Sequence, residues 1–228
     1  IVKQMFLDKE LHNDNVRFIA ANSINWARCM TQSVYFFWTY LNLPELKRDI
    51  TFSIPSGNFG HAYAGWTAKE MGLPIDKLLI ATNTNDVLHQ TFSTNNYAKT
   101  NVVQTLAPSM DISVASNFER LLYNLYDDDS SLLAKNMRSF PERSIDIPED
   151  KQELISSFFR SFKSNDQEIL AQINETHSKT GYILDPHTAT GVRASDIISI
   201  DDPVITMGTA HPAKFTDAIE KAIPEYNA

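Results

Sequence analysis

Three short segments carry residue types that can bind an anion, and each directly follows a stretch that reads as a β-strand. The first is Ser56-Gly57-Asn58-Phe59-Gly60. Its two glycines let the backbone turn sharply and aim successive N–H groups at one point, and a helix starting at Gly60 adds the positive end of its dipole. Phosphate is the natural guest of such a bend, although a plain strand-to-helix turn would use the same residues. The glycine spacing is not that of the dinucleotide fingerprint, and the Gly-Lys-Ser/Thr ending of a Walker loop is missing. The second segment is Asn22-Ser23-Ile24-Asn25-Trp26-Ala27-Arg28, where amide, hydroxyl and guanidinium groups can converge on one anion. Helix capping by Ser23 and a surface role for Arg28 form the ordinary alternative. The third is Gly208-Thr209-Ala210-His211-Pro212-Ala213-Lys214-Phe215, in which a fixed Thr209 hydroxyl can bond a heterocycle nitrogen or simply cap a helix. His211 and Lys214 read as structural or surface residues.

These segments need strands to hold them at a common edge. Residues 16–21 (VRFIAA), 50–54 (ITFSI), 77–81 (KLLIA) and 203–207 (PVITM) are short apolar runs rich in strand formers. Between them lie helical patterns: an aromatic segment from Arg28 to Leu43 that reads as a buried helix stopped by Pro44, one from Gly60 to Met71 with Gly72 as its C-cap, one near Thr188 to Ile198, and a last one after Pro212. Strand–helix alternation of this kind predicts an α/β fold with a mostly parallel sheet flanked by helices. Ligands of such sheets gather at the C-terminal ends of the strands, where all three segments fall. The middle, about 117–180, holds charged helical patterns and no convincing strand, so it is expected to be a helical insertion within a domain spanning 1–228. Pro141 and Pro148 bracket a loop there, with a helix expected from about residue 149.

Composition narrows the function classes. A hydrophobic fraction of 43%, with 13 Phe and 8 Tyr in 228 residues, suffices for a substantial core. The net charge of −8 argues against a nucleic-acid surface. No apolar stretch reaches the roughly 20 residues that span a bilayer, and no secretory leader is visible, so a cytoplasmic setting is expected. Cys29 is the single cysteine and is expected to pack rather than react. Asp127-Asp128-Asp129 reads as a solvated loop, and no metal ligands are assigned.

The strings NSINWAR, SGNFG, AKEMGLPIDKLLIATNTND, PSMDI with SNFER, DPHTATGV and GTAHPAKF together resemble threonine synthase, in the same order and nearly end to end. Threonine synthases are fold type II pyridoxal-phosphate enzymes that convert O-phosphohomoserine and water into threonine and phosphate. The resemblance implies that Gly57, Asn58, Phe59 and Gly60 form a cup for the phosphate of pyridoxal 5′-phosphate and that Thr209 bonds its pyridine nitrogen. It implies further that Asn22, Ser23, Asn25 and Arg28 contact the phosphate of a phosphorylated amino-acid substrate. Asp185-Pro186-His187-Thr188 matches a family signature and reads as a helix start capped by Asp185 or Thr188.

Two departures from the family pattern stand out. The Schiff-base lysine and the Ser/Thr-rich small-domain loop belong upstream of the first motif, and Lys3, Lys47, Lys69, Lys77 and Lys214 match other segments, so this chain reads as the C-terminal part of the enzyme and is expected to be inactive by itself. His61 stands where the family commonly has Asn, beside the cup, and can either meet substrate or face solvent. Three readings follow: a threonine synthase-like lyase, a phospholyase acting on another phosphorylated amino acid, and a non-catalytic remnant with a binding role. Oligomeric state is not readable.

Overall fold

The computed structural model describes residues 25–43, 49–198 and 203–226. In chain order these form α1 (Trp26–Leu41), β1 (Ile50–Pro55), α2 (Gly60–Glu70), β2 (Ile75–Thr82), α3 (Val87–Thr94), β3 (Asn96–Tyr97), α4 (Phe118–Leu125), α5 (Ser130–Ser139), β4 (Ile145–Asp146), α6 (Gln152–Phe158), β5 (Phe159–Lys163), α7 (Asp166–Thr180), α8 (Pro186–Ile197), β6 (Val204–Thr206) and α9 (Thr216–Ala222). The expected strand over 16–21 lies outside the described residues.

The main sheet has the order β5-β2-β1-β6, and every pairing in it is parallel. All six residues of β1 are buried, as a central parallel strand covered on both faces requires. Along β2 the side chains alternate between two layers. Leu78 and Ile80 join the large core with Phe36 and Phe52, whereas Leu79 and Ala81 meet Ala194 of α8 on the other face. Helices therefore cover both sides, and the Ser53 hydroxyl donates to the Gly191 carbonyl at 2.7 Å to tie α8 to β1.

The helical middle needs correction in one respect. Residues 159–163 (FRSFK) form β5, which pairs in parallel with β2 from Leu78↔Phe159 to Thr82↔Lys163. The sheet thus runs through the segment expected to hold no strand. Phe159 is buried between Trp66 and Phe92, stacking on both. The short antiparallel pair of β3 and β4 adds a further strand there. Asp129 is also more than a loop residue: its carboxylate accepts from the N–H groups of Ser131 and Leu132 and caps α5.

Helix α1 differs from expectation as well. It buries one stripe, Cys29, Ser33 and Phe36, and leaves Val34, Tyr35, Trp38 and Leu41 exposed, Leu41 to 72%. An aromatic-rich run looked buried all round, but a helix packed through a single stripe buries only the residues at helical spacing. Cys29 packs as expected, and burial raises its thiol pKa while the nearby Arg120 and Arg28 charges partly oppose the shift.

Because β5 is part of the core, Phe159→Ala is expected to cost about 3–5 kcal/mol. Equilibrium denaturant unfolding measures this; a loss within the range of a surface substitution would mean that the strand is peripheral.

Candidate functional site

The sheet order creates the site. From β1 the chain moves to β2 and β5 on one side, while β6 returns to pair with the other side of β1 through Thr51↔Val204, Phe52↔Ile205 and Ser53↔Thr206. Chain order therefore reverses at β1, which makes a crevice beyond the carboxyl ends of β1 and β6. The loop after β1 is Ser56–Gly60 and the loop after β6 begins at Met207, whose N–H bonds the Ser53 carbonyl at 2.9 Å. Both loops line one cleft of about 300 Å³, together with Arg28 and His61. An adjoining groove of about 880 Å³ extends along α1 past Arg28 and Thr209.

The bend itself is built by packing. Phe59 adopts a left-handed backbone (φ 65°), which costs a non-glycine residue roughly 1–2 kcal/mol. Its ring is fully buried against Phe118, Phe92 and Phe159, and that burial offsets the strain. Phe59 is also the N-cap of α2, and no side chain caps this helix. By contrast, Asn25, Asn165 and Asp185 cap α1, α7 and α8 with their side chains. Among the described residues no side chain is recorded capping the first turn of α2, an arrangement that favours an anion in the cleft. Among the described residues, the 300 Å³ cleft is lined by no Asp or Glu, although the chain carries a net charge of −8.

Gly57 is required for a reason that its motif does not reveal. A Cβ there would lie 2.9 Å from Met110 Cα and 3.1 Å from the Ser109 carbonyl oxygen. The cup is thus closed on one side by the 3-10 turn Pro108–Met110. That turn is held in place by Asp111, whose carboxylate accepts from Asn83 (2.7 Å), Asn85 (2.8 Å) and the Thr105 N–H (2.9 Å). His187 adds a further tie, its Nε2 accepting from the Ser109 N–H at 3.1 Å.

The side chain of Asn58 is engaged by the segment at 116–117. Its Oδ1 accepts from the N–H and hydroxyl of Ser116, both at 2.8 Å, and its carbonyl accepts from Asn117. Residues 58 and 59 both line the cleft. Asn25 caps α1, accepting from the Ala27 N–H at 3.0 Å, while Arg28 lines the cleft from the first turn of that helix. Asn22 and Ser23 lie outside the described residues, as do Lys3 and Lys47. Lys69 bonds the Ile75 carbonyl, Lys77 pairs with Asp76, and Lys214 lines a neighbouring cavity, so none of the three lines the cleft.

His61 lines the cleft from the first turn of α2, edge-on to Phe36 and Tyr35. Its Nε2 is buried without a hydrogen-bond partner among the described residues. Burial pushes the imidazole down from 6.5 to about 4.

Asp185 is the junction that the motif reading did not reveal. It caps α8 as expected, accepting from the N–H groups of His187 (2.9 Å) and Thr188 (3.3 Å). It also accepts from His187 Nδ1 at 3.0 Å, from the Thr188 hydroxyl and from the Ala210 N–H at 3.3 Å. Burial opposes its ionisation, but the bonds from His187 and Thr188 outweigh it and hold the carboxyl below its ordinary range. Through these contacts one carboxylate connects the start of α8, the Ser109 turn and the Thr209 loop. An Asp with His two and Thr three positions later was the available signal for the local bonds, but its partners on the Thr209 loop lie 24 and 25 residues away in sequence and spacing could not name them.

A further cavity, of about 770 Å³ and lined by Trp26, Tyr63, Arg120 and Asn124, lies apart from the glycine bend.

Comparison with known proteins fits this geometry. A family model described as "Threonine synthase, C-terminal" matches residues 188–227. A threonine synthase from Pseudomonas aeruginosa is 42% identical over 225 residues, 97% of this chain and 48% of that protein. The structure of PLP-bound threonine synthase from Brucella melitensis superposes with a TM-score of 0.90 at 43% identity, covering 97% of this chain and 48% of that one. The chain belongs to the threonine synthase family. Yeast threonine synthase gives a TM-score of 0.87 at 36% identity over 99% of this chain and 48% of its own. The sheet and its flanking helices are therefore the fold type II architecture of threonine synthases, and the chain spans about half the length of the curated relatives it matches.

Two outcomes follow. Gly57→Ala is expected to destabilise the protein by about 1–3 kcal/mol, because the clash is with backbone that cannot rotate away; unchanged denaturant stability would show that the 108–110 turn is free to move. An unfolded chain protonates His61 near 6.5, whereas the folded one resists until about 4. His61 thus lowers stability as pH falls through that window, by about 3 kcal/mol at most at ~1.4 kcal/mol per unit. His61→Asn should flatten that part of the pH–stability curve, and identical curves for the two proteins would place the imidazole in solvent.

Proposed function

We propose that this chain supplies the cofactor-phosphate cup and the substrate-anion contacts of a pyridoxal-phosphate-dependent threonine synthase, which makes L-threonine and phosphate from O-phosphohomoserine and water. The observation that carries this reading is the shared cleft: an uncapped helix N-terminus at Gly57–Gly60 and the Thr209 hydroxyl line one space with Arg28. The reading concerns the whole protein, of which relatives show about twice this length.

The residues fit the cofactor on chemical grounds. The backbone N–H groups of the bend and the first turn of α2 would hold its phosphate without any lysine or metal. Thr209, on the adjacent strand end, would meet the ring nitrogen. When bound, pyridoxal phosphate supplies an electron sink for carbanion chemistry on the amino acid. Arg28 would hold the substrate phosphate by charge-assisted hydrogen bonds, with Asn25 fixing the helix end that carries it, and Ser23 and Asn22 adding polar contacts. An Arg there also stabilises the phosphate as it departs with its full charge.

The phospholyase alternative rests on His61, a neutral imidazole that lines the same cleft and whose Nε2 is buried. A ring in place of a smaller amide alters the shape and hydrogen-bonding of the substrate end, while leaving the cofactor end unchanged.

Arg28→Ala in the full-length protein is expected to lower kcat/KM for O-phosphohomoserine about 10- to 100-fold, as loss of a charged hydrogen bond implies, with cofactor content unchanged. Steady-state kinetics with cofactor quantitation makes the test. Undiminished kcat/KM would remove Arg28 from the substrate site.

A further inference from the structure

One side chain joins the two ends of the cleft in addition to the sheet. His187 stands in the first turn of α8, is buried, and lines the cleft together with the 3-10 turn that walls the cup and the loop that carries Thr209. Its two ring nitrogens serve different segments. Nε2 lies 3.1 Å from the Ser109 backbone nitrogen, and a backbone N–H can only donate, so Nε2 must present its lone pair. The ring hydrogen is therefore on Nδ1, which donates to Asp185 Oδ1 at 3.0 Å. The ring also packs on Phe215, with the two centroids 4.8 Å apart.

Asp185 carries the tie onward to the β6 loop. Its Oδ2 accepts from the Ala210 N–H at 3.3 Å, and Thr188 Oγ1 in the same turn accepts from the Thr209 N–H at 3.0 Å. His187 is thus the link between two pieces that are each anchored without it. The 108–110 turn is held by Asp111 through Asn83, Asn85 and Thr105, and the Thr209 loop is held by Asp185 and Thr188. Cutting the link leaves both pieces anchored, with the pairing of β1 and β6 alone to set their separation. A ligand that reaches one end only does not sense that change. One that spans from cup to loop must then order the spacing itself, which weakens its binding.

We infer that His187 is a positioning residue for a ligand that spans the cleft: hydrogen-bonded at both ring nitrogens, it ties the wall of the phosphate cup to the Thr209 loop and fixes the reach between them. This rests on the pyridoxal-phosphate reading, in which the phosphate and the ring nitrogen are the two ends of that ligand. Among the described residues, backbone bonds between β1 and the β6 segment end at Met207. His187 carries the connection on to the residues that follow.

The test is calorimetric titration of the full-length protein, freed of cofactor, with two probes. Pyridoxine 5′-phosphate spans both ends and has no aldehyde to bond to a lysine, whereas inorganic phosphate reaches one end only. In His187→Asn the amide is too short to reach Ser109 but can still meet Asp185, so the tie is cut at one end. Pyridoxine 5′-phosphate is expected to bind about 3- to 10-fold more weakly, the range of one hydrogen bond, with inorganic phosphate within about twofold of wild type. His187→Gln, whose longer side chain can bring its amide oxygen to the Ser109 N–H, should restore most of the loss. Equal weakening of both probes, unchanged binding of both, or a Gln variant no better than Asn overturns the inference and leaves the cofactor reading intact. Near-UV circular dichroism checks the fold of each variant. If the Asn variant does not fold, nitrogen-15 NMR of the wild-type imidazole decides: a hydrogen on Nδ1 with a bare Nε2 is expected, and a hydrogen on Nε2 overturns the tie to Ser109. Failure of pyridoxine 5′-phosphate to bind the wild type overturns the inference and the cofactor reading together.

Discussion

The parallel pairing of β6 with β1 is the constraint on which the rest of the site depends. It places the ends of two strands separated by about 150 residues of chain side by side, and so brings the bend after Pro55 next to the loop after Thr206. Neither loop is a binding site alone. Helix α2 contributes an end with no side-chain cap, and the β6 loop contributes a hydroxyl facing the same space. Because β1 is buried and covered by helices on both faces and β6 pairs with it in parallel, the separation of the two strand ends is fixed by backbone hydrogen bonds rather than by flexible side chains.

Around that pairing the structure invests its less favourable features in the cleft. Phe59 holds a left-handed backbone that only its buried ring makes tolerable. Gly57 admits the Ser109–Met110 backbone at a distance no Cβ would allow. His61 keeps a buried nitrogen without a partner among the described residues. Asp185 sits at negative charge in the interior, sustained by its donors. Strain, close approach and buried polarity in one place are what a preorganised site requires, and each is compensated by packing or hydrogen bonds outside it.

Much of this was legible in the sequence where information is local. The central strands are continuous apolar runs, and the glycine bend and the Asp185 cap announce themselves by residue type and spacing. β5 was hidden because FRSFK interleaves charged residues, with Arg160 and Lys163 exposed, and the strand has one neighbour in the sheet. The exposed face of α1 was misread because aromatic density does not say which stripe is packed. The contacts of Asn58 with Ser116, of Gly57 with the 108–110 turn and of Asp185 with the Thr209 loop join residues far apart in the chain, and no local pattern encodes them. Family resemblance supplied the cofactor identity that residue chemistry left open between a phosphate site and a plain turn.

A crystal structure of the full-length protein with pyridoxal phosphate tests the shared-cleft geometry most directly. The cofactor phosphate is expected within hydrogen-bond distance of the backbone nitrogens at residues 57–62, with the ring nitrogen facing Thr209 Oγ1. Density for the phosphate elsewhere, or a ring nitrogen turned away from Thr209, would contradict the assignment of these two loops to the two ends of one ligand.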